Sequence, residues 1–200
     1  MADDHEGRDG AKRIEAFSDG VIAIIITIMV LEMHAPEAPG IGPLLALWPV
    51  FLAYLLSYLY VAIYWVNHHR LFHFATRVSN GLLWANIALL FTLSLVPFAT
   101  AYLGSQHFSR PATLLYMLVM LLPSFAYGWL QRVIRRTGAD HAEARHYHRR
   151  MGRKIVVASL IYLFGLVVAL WSPAIGLACA ALVALSWCLA ESPLDRMFER

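Results

Sequence analysis

Six stretches of this sequence are long and apolar enough to form helices that cross a lipid bilayer. Such a helix needs about 20 predominantly apolar residues, since each residue adds about 1.5 Å along the axis. Of the 200 residues, 60% are hydrophobic, which exceeds the roughly 45–50% of an ordinary soluble domain. We therefore expect an all-α integral membrane protein in which residues 1–200 form one domain, with six transmembrane helices at approximately 14–34, 44–67, 82–103, 111–134, 155–171 and 173–190.

The positions of lysine and arginine predict how these helices are oriented. Basic residues that flank transmembrane helices are retained in the cytoplasm. Given the six stretches, 15 of the 16 lysines and arginines fall on one side of the membrane, and only Arg110 falls on the other. Both termini and the basic loop at about 135–154 are therefore predicted to be cytoplasmic. The net charge of +3 then needs no nucleic-acid partner, because the basic loop lies against anionic lipid headgroups.

A cluster of ionisable residues stands at the start of the first apolar stretch. Arg13 and Asp19 lead directly into the uncharged segment 21–31. Charges at membrane depth are costly, so they are usually paired and functional. The second stretch offers partners at the same depth, spaced i, i+3, i+4 and i+7 near its cytoplasmic end: Trp65, His68, His69 and Phe72. We expect a buried hydrogen-bonded network between the first two helices, in which Asn67 and Asn86 are further candidates.

One face of the first helix carries a stripe of branched apolar residues. Ile24, Ile28 and Leu31 recur at i, i+4 and i+7, with Thr27 beside them. This spacing is typical of a helix face that packs against neighbouring helices or lipid. Asp19 lies about 140° around the helix from Ile24, at about 100° per residue. The polar cluster and the apolar stripe are therefore expected to face different surroundings.

The histidines and the missing motifs narrow the possible functions. His69 and His73 stand at i, i+4, the spacing at which two imidazoles can share a metal ion, but no H-E-x-x-H pattern accompanies them. His141, His146 and His148 fall in the basic loop, where we expect them to be solvated. The sequence has no nucleophile elbow, phosphate loop or dinucleotide fingerprint, so neither an enzyme nor a cofactor is expected. It also has no T-V-G-Y-G, the carbonyl-lined filter of ordinary potassium channels.

The sequence resembles the endosomal and lysosomal potassium channels and their shorter bacterial relatives. The resemblance is carried by an R-x-x-x-F-S-D-G motif at the start of the first helix, by the Ile/Thr-rich segment after it, and by a second group of residues: Trp65, His68, Arg70, Leu71, Phe72, Asn86 and Pro97. It is specific over the first half of the chain and extends to the second half in hydropathy. It implies a multi-pass potassium channel in the inner membrane of a prokaryote, with potassium and other monovalent cations as the permeant ions. One six-helix unit per chain would assemble as a homotetramer around a central pore lined by the first helix.

The resemblance also implies roles for single residues. Counted from the motif phenylalanine, the apolar constriction of the family's pore falls on Ile24, Ile28 and Leu31, the same positions as the stripe. Thr27 matches the threonine that is implicated in cation preference. Independently of the resemblance, Glu32 lies one turn beyond Ile28, where four carboxylates would concentrate cations at the outer mouth; the alternative is that Glu32 only hydrates the helix end. The structural network behind the pore would consist of Arg13, Phe17, Ser18, Asp19, Trp65 and His68.

Two other functions compete with the channel. In a proton-coupled secondary transporter, Asp19 and His68 would relay protons across a moving gate. The sequence shows no inverted repeat or broken helix of the kind that such transporters use. In a membrane enzyme, the histidines would bind a metal ion.

Overall fold

All secondary structure in the described residues is helical. The computed structural model describes residues 2–138 and 142–189. The helices are α1 (Ala2–Leu31), α2 (Ile41–Ala46), α3 (Trp48–Phe72), α4 (Asn80–Ser94), α5 (Val96–Ser105), α6 (Arg110–Thr137), α7 (Ala142–Val168) and α8 (Pro173–Leu189). The prediction of an all-α chain is confirmed. His141 lies outside the described residues, as do Arg196 and Arg200, two of the 15 basic residues counted on the predicted cytoplasmic side.

Five apolar helical segments of the described chain have the length that a membrane crossing needs. They are Asp9–Leu31, Trp48–Phe72, Asn80–Ser105, Arg110–Thr137 and Ala142–Val168, and a shorter apolar helix follows at Pro173–Cys188. Each of the six predicted stretches overlaps a helix, but residues 32–34 of the first and 169–171 of the fifth lie beyond the helix ends, and the second begins in α2 and crosses the break at Leu47. Residue 190, at the end of the sixth stretch, is not described. The third segment comprises α4 and α5, which meet at Leu95. Pro97 explains the break, because proline lacks an N–H and its ring clashes with a carbonyl in the preceding turn.

The basic segment between the fourth and fifth predicted stretches is not a loop over its whole length. Residues 142–154 belong to α7, which begins 13 residues before the predicted start at 155. A hydropathy criterion excludes the charged residues and so places the start of the helix after them. Arginine, lysine and alanine are nevertheless good helix formers, so the helix extends through the charged segment. The inner face of this polar extension packs against the bundle. His148 is therefore buried, with 6% of its surface exposed, and the prediction that it is solvated is wrong.

The core lies around α6, which packs against α4, α5, α7 and α8. Several polar side chains in this core bond to other helices, since a membrane interior offers no water as a partner. Ser57 on α3 bonds to Tyr116 on α6 at 3.1 Å, and it accepts a hydrogen bond from Thr100 on α5 at 2.7 Å. The helices also approach closely at glycine: a Cβ on Gly104 would lie 2.8 Å from the Cα of Val50. These contacts hold α3, α5 and α6 as a rigid support, against which α1 packs.

Candidate functional site

The first helix, α1, has one face inside the bundle and one face outside it. The inner face, where α1 contacts α3, α4 and α5, consists of five buried residues that follow a helical spacing: Ala11, Ser18, Ile22, Ile25 and Met29. The stripe lies on the outer face, where Ile24 is 58%, Ile28 40% and Leu31 76% exposed. A large part of the stripe is therefore left uncovered by its own chain. Its surroundings are another chain, lipid or water.

Polar groups accompany the stripe on this outer face. Thr27 is exposed, and its hydroxyl donates to the carbonyl of Ile24 at 2.8 Å. Since the proton is used within the helix, the hydroxyl oxygen presents its lone pairs as an acceptor. Glu32 is exposed at the end of α1, one turn beyond Ile28. An open groove between α1 and the α4–α5 segment is lined by Ile24, Ile28, Glu32, Ser94, Pro97 and Phe98. The outer face thus combines large apolar groups with a few oxygen acceptors.

A buried chain of hydrogen bonds ties the inner face of α1 to α3 and α4. Asn86 on α4 donates from Nδ2 to the hydroxyl of Ser18 at 2.9 Å. Its Oδ1 lies 2.8 Å from Nε2 of His68, and an amide oxygen only accepts, so Nε2 carries the proton. The Ser18 hydroxyl completes the chain by donating to the carbonyl of Ile14 at 2.9 Å. Ser18, His68 and Asn86 are almost completely buried, so this chain fixes three helices relative to one another.

Two further contacts join α1 to α3 near the cytoplasmic end predicted from the sequence. The indole Nε1 of Trp65 donates to Asp19 at 2.9 Å. One turn away, Nδ1 of His69 lies 2.6 Å from a carboxylate oxygen of Glu15. The contact between His69 and Glu15 was not predicted. The sequence pattern that indicates it is the spacing of four residues in both pairs, Glu15 with Asp19 and Trp65 with His69. Two antiparallel helices with matching i, i+4 pairs can form two such contacts.

Other residues assigned to the network lie elsewhere. Arg13 and Phe17 are exposed, and among the described residues no hydrogen bond or ion pair connects Arg13 with Ser18, Asp19, Trp65 or His68. Both share the outer face of α1 with Ile24 and Leu31, which is why a single chain leaves them uncovered. Asn67 was a candidate as well. It instead donates to Ile63 on its own helix at 2.7 Å, and its Oδ1 is buried without a partner.

The histidine pair shows no metal-binding geometry of its own. The rings of His69 and His73 are 5.1 Å apart, edge to face, and His69 is engaged with Glu15. Within residues 2–138 and 142–189 there is no group of three or more His, Cys, Asp or Glu side chains that could hold a metal ion. His148 lies apart, with its ring 5.6 Å from that of Phe74, while its carbonyl accepts from Gln131 at 2.9 Å.

Similar proteins are known over most of this chain. A family model described as the endosomal/lysosomal potassium channel TMEM175 matches residues 13–97, which include both the stripe and the network. A potassium channel from Chryseobacterium sp. (strain P1-3) is 39% identical over 185 residues, which are 92% of this chain and 95% of that protein. An endosomal/lysosomal proton channel TMEM175 from Rattus norvegicus is 32% identical over 102 residues, 48% of this chain but 20% of the rat protein.

A solved structure extends the similarity to the fold. The crystal structure of a lysosomal potassium-selective channel TMEM175 homolog from Chamaesiphon minutus matches with a TM-score of 0.82 and 29% identity. The match covers 90% of this chain and 97% of the other. Sequence identity across nearly the whole Chryseobacterium relative, together with the family match over the site residues, means that this chain belongs to the family of the endosomal/lysosomal potassium channel TMEM175.

Proposed function

We propose that this chain conducts potassium through a pore lined by the outer face of α1. The observation that carries the proposal is the division of α1 into two faces. Its inner face is anchored in the bundle, whereas the apolar stripe with its threonine is left outside. Potassium channels among the relatives, one of them similar over 92% of this chain, support the same function. Family membership also confirms that the chain is not an enzyme.

The pore requires several copies of the chain. A helix with its side chains is about 10–12 Å wide, so one copy of α1 cannot enclose an axis, whereas four can surround a passage of ionic width. We infer a homotetramer in which the outer faces of four α1 helices meet. Arg13 and Phe17, which are exposed in one chain, would then face the axis or a neighbouring subunit.

The conduction mechanism follows from the residues on this face. Rings of four Ile24, Ile28 and Leu31 side chains form an apolar constriction that loses its water when narrow and admits a partly dehydrated cation when slightly wider. Thr27 places four hydroxyl oxygens in the wall, where they replace part of the hydration shell. No carbonyl-lined filter is needed. Selectivity then depends on how closely the hydroxyl oxygens and the apolar rings approach the ion.

The network behind α1 acts by holding the helix in place. The chain from Ser18 through Asn86 to His68 fixes its inner face, and the bond from Trp65 to Asp19 fixes its rotation. None of these groups is on the stripe. Their proposed role is to set the width of the constriction, not to contact the ion.

The proposed topology has six transmembrane helices with both termini in the cytoplasm of a prokaryotic cell, whose inner membrane holds the channel. Five membrane-length helices and the shorter α8 support this arrangement. With that orientation Glu32 lies at the outer mouth, where four carboxylates would attract cations. The basic residues at the end of α6 and at the start of α7 lie at the cytoplasmic surface, whereas Arg110 lies at the opposite one.

The transporter hypothesis has a specific structural argument against it. A proton relay between Asp19 and His68 would need a continuous path of groups that both accept and donate protons. Asp19 is bonded to the indole N–H of Trp65, which only donates, and His68 is bonded to the amide of Asn86. These side chains hold α1 in position without connecting the two ionisable groups.

Purified protein in liposomes tests the function directly. With a potassium gradient and a voltage clamp set by ionophores, we expect passive potassium flux that does not depend on a proton gradient, with slower sodium flux. Measuring internal pH in the same vesicles tests proton permeation. Saturable flux that requires a proton gradient would support the transporter instead. The mass of the detergent-extracted complex should equal four chains, and a monomer that still moves ions would contradict the shared pore.

A further inference from the structure

One exposed face of α7, its outer face, is basic in its N-terminal part and apolar in its C-terminal part. Its apolar part is formed by exposed side chains that follow the helical repeat: Val156, Leu160, Phe164 and Val167. At about 100° per residue, Arg149 and Arg153 lie on this same face one to two turns earlier, and both are exposed. The opposite face, with Met151, Ala158 and Tyr162, is buried. The polar extension of α7 therefore presents its arginines in line with an exposed apolar surface.

The surroundings of these arginines are strongly basic. Arg132, Arg135 and Arg136 at the end of α6 are also exposed. Within the described residues from Arg110 onward, Glu143 is the only acidic side chain. Lys154 is turned aside, with its ammonium 5.3 Å from the ring of Trp187 on α8. A positive surface of this kind, adjoining a bilayer, is complementary to anionic headgroups in the cytoplasmic leaflet.

The dimensions of the face fit a phospholipid. From Val156 to Val167 the helix rises about 16 Å at 1.5 Å per residue, close to the roughly 15 Å of one leaflet of the hydrocarbon core. Arg153 lies about 4.5 Å before Val156, within the headgroup layer of about 5–8 Å, and Arg149 lies about 10.5 Å before Val156, just beyond that layer, from where its long side chain can reach back to a phosphate. Arginine binds phosphate oxygens through two parallel N–H groups. One face thus offers an acyl-chain surface and a phosphate-binding end in the correct order.

We propose that the outer face of α7 binds an anionic phospholipid, with its phosphate on Arg149 and Arg153 and an acyl chain along Val156, Leu160 and Phe164. A soluble anion would use the arginines alone and would gain nothing from the apolar residues in line with them. A zwitterionic lipid would fit the apolar part but would lack the net charge. The site is independent of the pore, because it lies on a different helix from the stripe of α1.

Native mass spectrometry of the detergent-extracted protein tests this proposal with dioleoyl phosphatidylglycerol as the probe and dioleoyl phosphatidylcholine as the comparison lipid. Each arginine near a membrane surface contributes about fivefold in affinity for anionic lipid, so Arg149→Gln with Arg153→Gln should weaken phosphatidylglycerol binding by about 25-fold. Arg110→Gln, an exposed arginine at the opposite end of the bundle, is the matched control and should leave binding unchanged. Glutamine is a good helix former, so the double variant should keep α7 intact.

A second double variant separates the effect of charge on lipid binding from an effect on folding. Arg149→Lys with Arg153→Lys keeps both charges and should bind phosphatidylglycerol more tightly than the glutamine pair. Equal binding by the lysine and glutamine pairs, or by the glutamine pair and the parent, would overturn the proposal. Displacement of the lipid by glycerol phosphate at a similar concentration would also overturn it, because the site would then bind a soluble anion. The readout is lipid occupancy, so it does not depend on whether the chain conducts potassium.

Discussion

The indole N–H of Trp65 on α3 donates a hydrogen bond of 2.9 Å to the carboxylate of Asp19 on α1, where the predicted membrane-spanning segment begins. Trp65 is 44% exposed and Asp19 is partly buried, so the contact lies at the edge of the bundle. An indole N–H can donate but cannot accept, and the Asp19 oxygen in this contact is the acceptor. The contact therefore serves to position α1 and is poorly suited to transfer a proton.

Replacing Asp19 by asparagine should destabilise the assembled protein without changing its ion preference. The amide oxygen still accepts from Trp65, but the bond loses its charge, which costs about 1 kcal/mol. Thermal unfolding and the yield of intact oligomer measure this loss. Trp65→Phe should cost a similar amount, and the double variant little more than either single one. Normal stability with altered permeation would instead place Asp19 in the conduction path.

Replacing Asn86 by leucine should be far more damaging than the same change at Asn67. Asn86 connects Ser18 and His68. Its loss leaves the buried Nε2–H of His68 without an acceptor and removes the bond from α4 to Ser18, which keeps its own bond to Ile14, at a cost of about 1–3 kcal/mol. Asn67 is equally buried, but its Oδ1 has no partner and its Nδ2 bonds only within its own helix. Asn67→Leu should therefore be nearly neutral. Thermal unfolding of the two variants in one detergent gives the comparison, and equal losses would show that the network is not what stabilises α1.

The helices of this protein could be predicted where apolar residues define them. Within the described residues, each membrane-length helical segment overlaps a stretch predicted from hydropathy. The i, i+4, i+7 spacing identified the stripe as a face distinct from that of Asp19. Hydropathy could not identify the polar extension of α7, because an arginine-rich helix and an arginine-rich loop have the same mean hydropathy. The burial of His148 follows from that extension and was missed with it.

The sequence predicted several residues of the candidate site, but it did not predict which of them are hydrogen-bonded to each other. Ser18, His68 and Asn86 had to find partners because they are polar groups at membrane depth. Which group bonds to which depends on the rotation of α1 against α3, and that rotation is set by packing of side chains far apart in sequence. The exposure of Arg13 and Phe17 has a different origin. A single sequence does not distinguish a helix face that meets its own bundle from one that meets another chain.

Replacing Thr27 by alanine should weaken the preference for potassium over sodium while leaving the protein folded. The variant removes four hydroxyl oxygens from the proposed pore wall, and Thr27 is exposed, so no core contact is lost. The loss of one hydrogen-bond equivalent per ion, about 1 kcal/mol, corresponds to about fivefold in the permeability ratio. Thr27→Val, which keeps the shape without the hydroxyl, should behave like alanine. If Thr27→Val keeps the preference for potassium, that preference depends on the shape of the side chain and not on its hydroxyl.

Ile24 and its neighbour Ile25 should respond in opposite ways to asparagine. Ile24 is 58% exposed on the outer face, whereas Ile25 is 3% exposed on the inner face. In the proposed pore, Ile24→Asn supplies amides that bind water in the constriction, so conductance should rise and discrimination between potassium and sodium should fall. Ile25→Asn buries an amide without partners and loses apolar packing, at a cost of about 2–5 kcal/mol, so folded protein should be lost.

Comparing Ile24→Asn with Ile25→Asn shows whether the stripe faces a pore or lipid. The exposed fraction of Ile24 alone does not distinguish these two surroundings. If the stripe met lipid, an asparagine at position 24 would be exposed to hydrocarbon, where an unpaired amide is costly. Ile24→Asn would then lower the yield of folded protein, as Ile25→Asn does, and would give no increase in current. Liposome flux normalised to the amount of intact oligomer decides between the two. A folded Ile24→Asn protein with greater flux supports the constriction, and a misfolded one with parental flux per oligomer contradicts it.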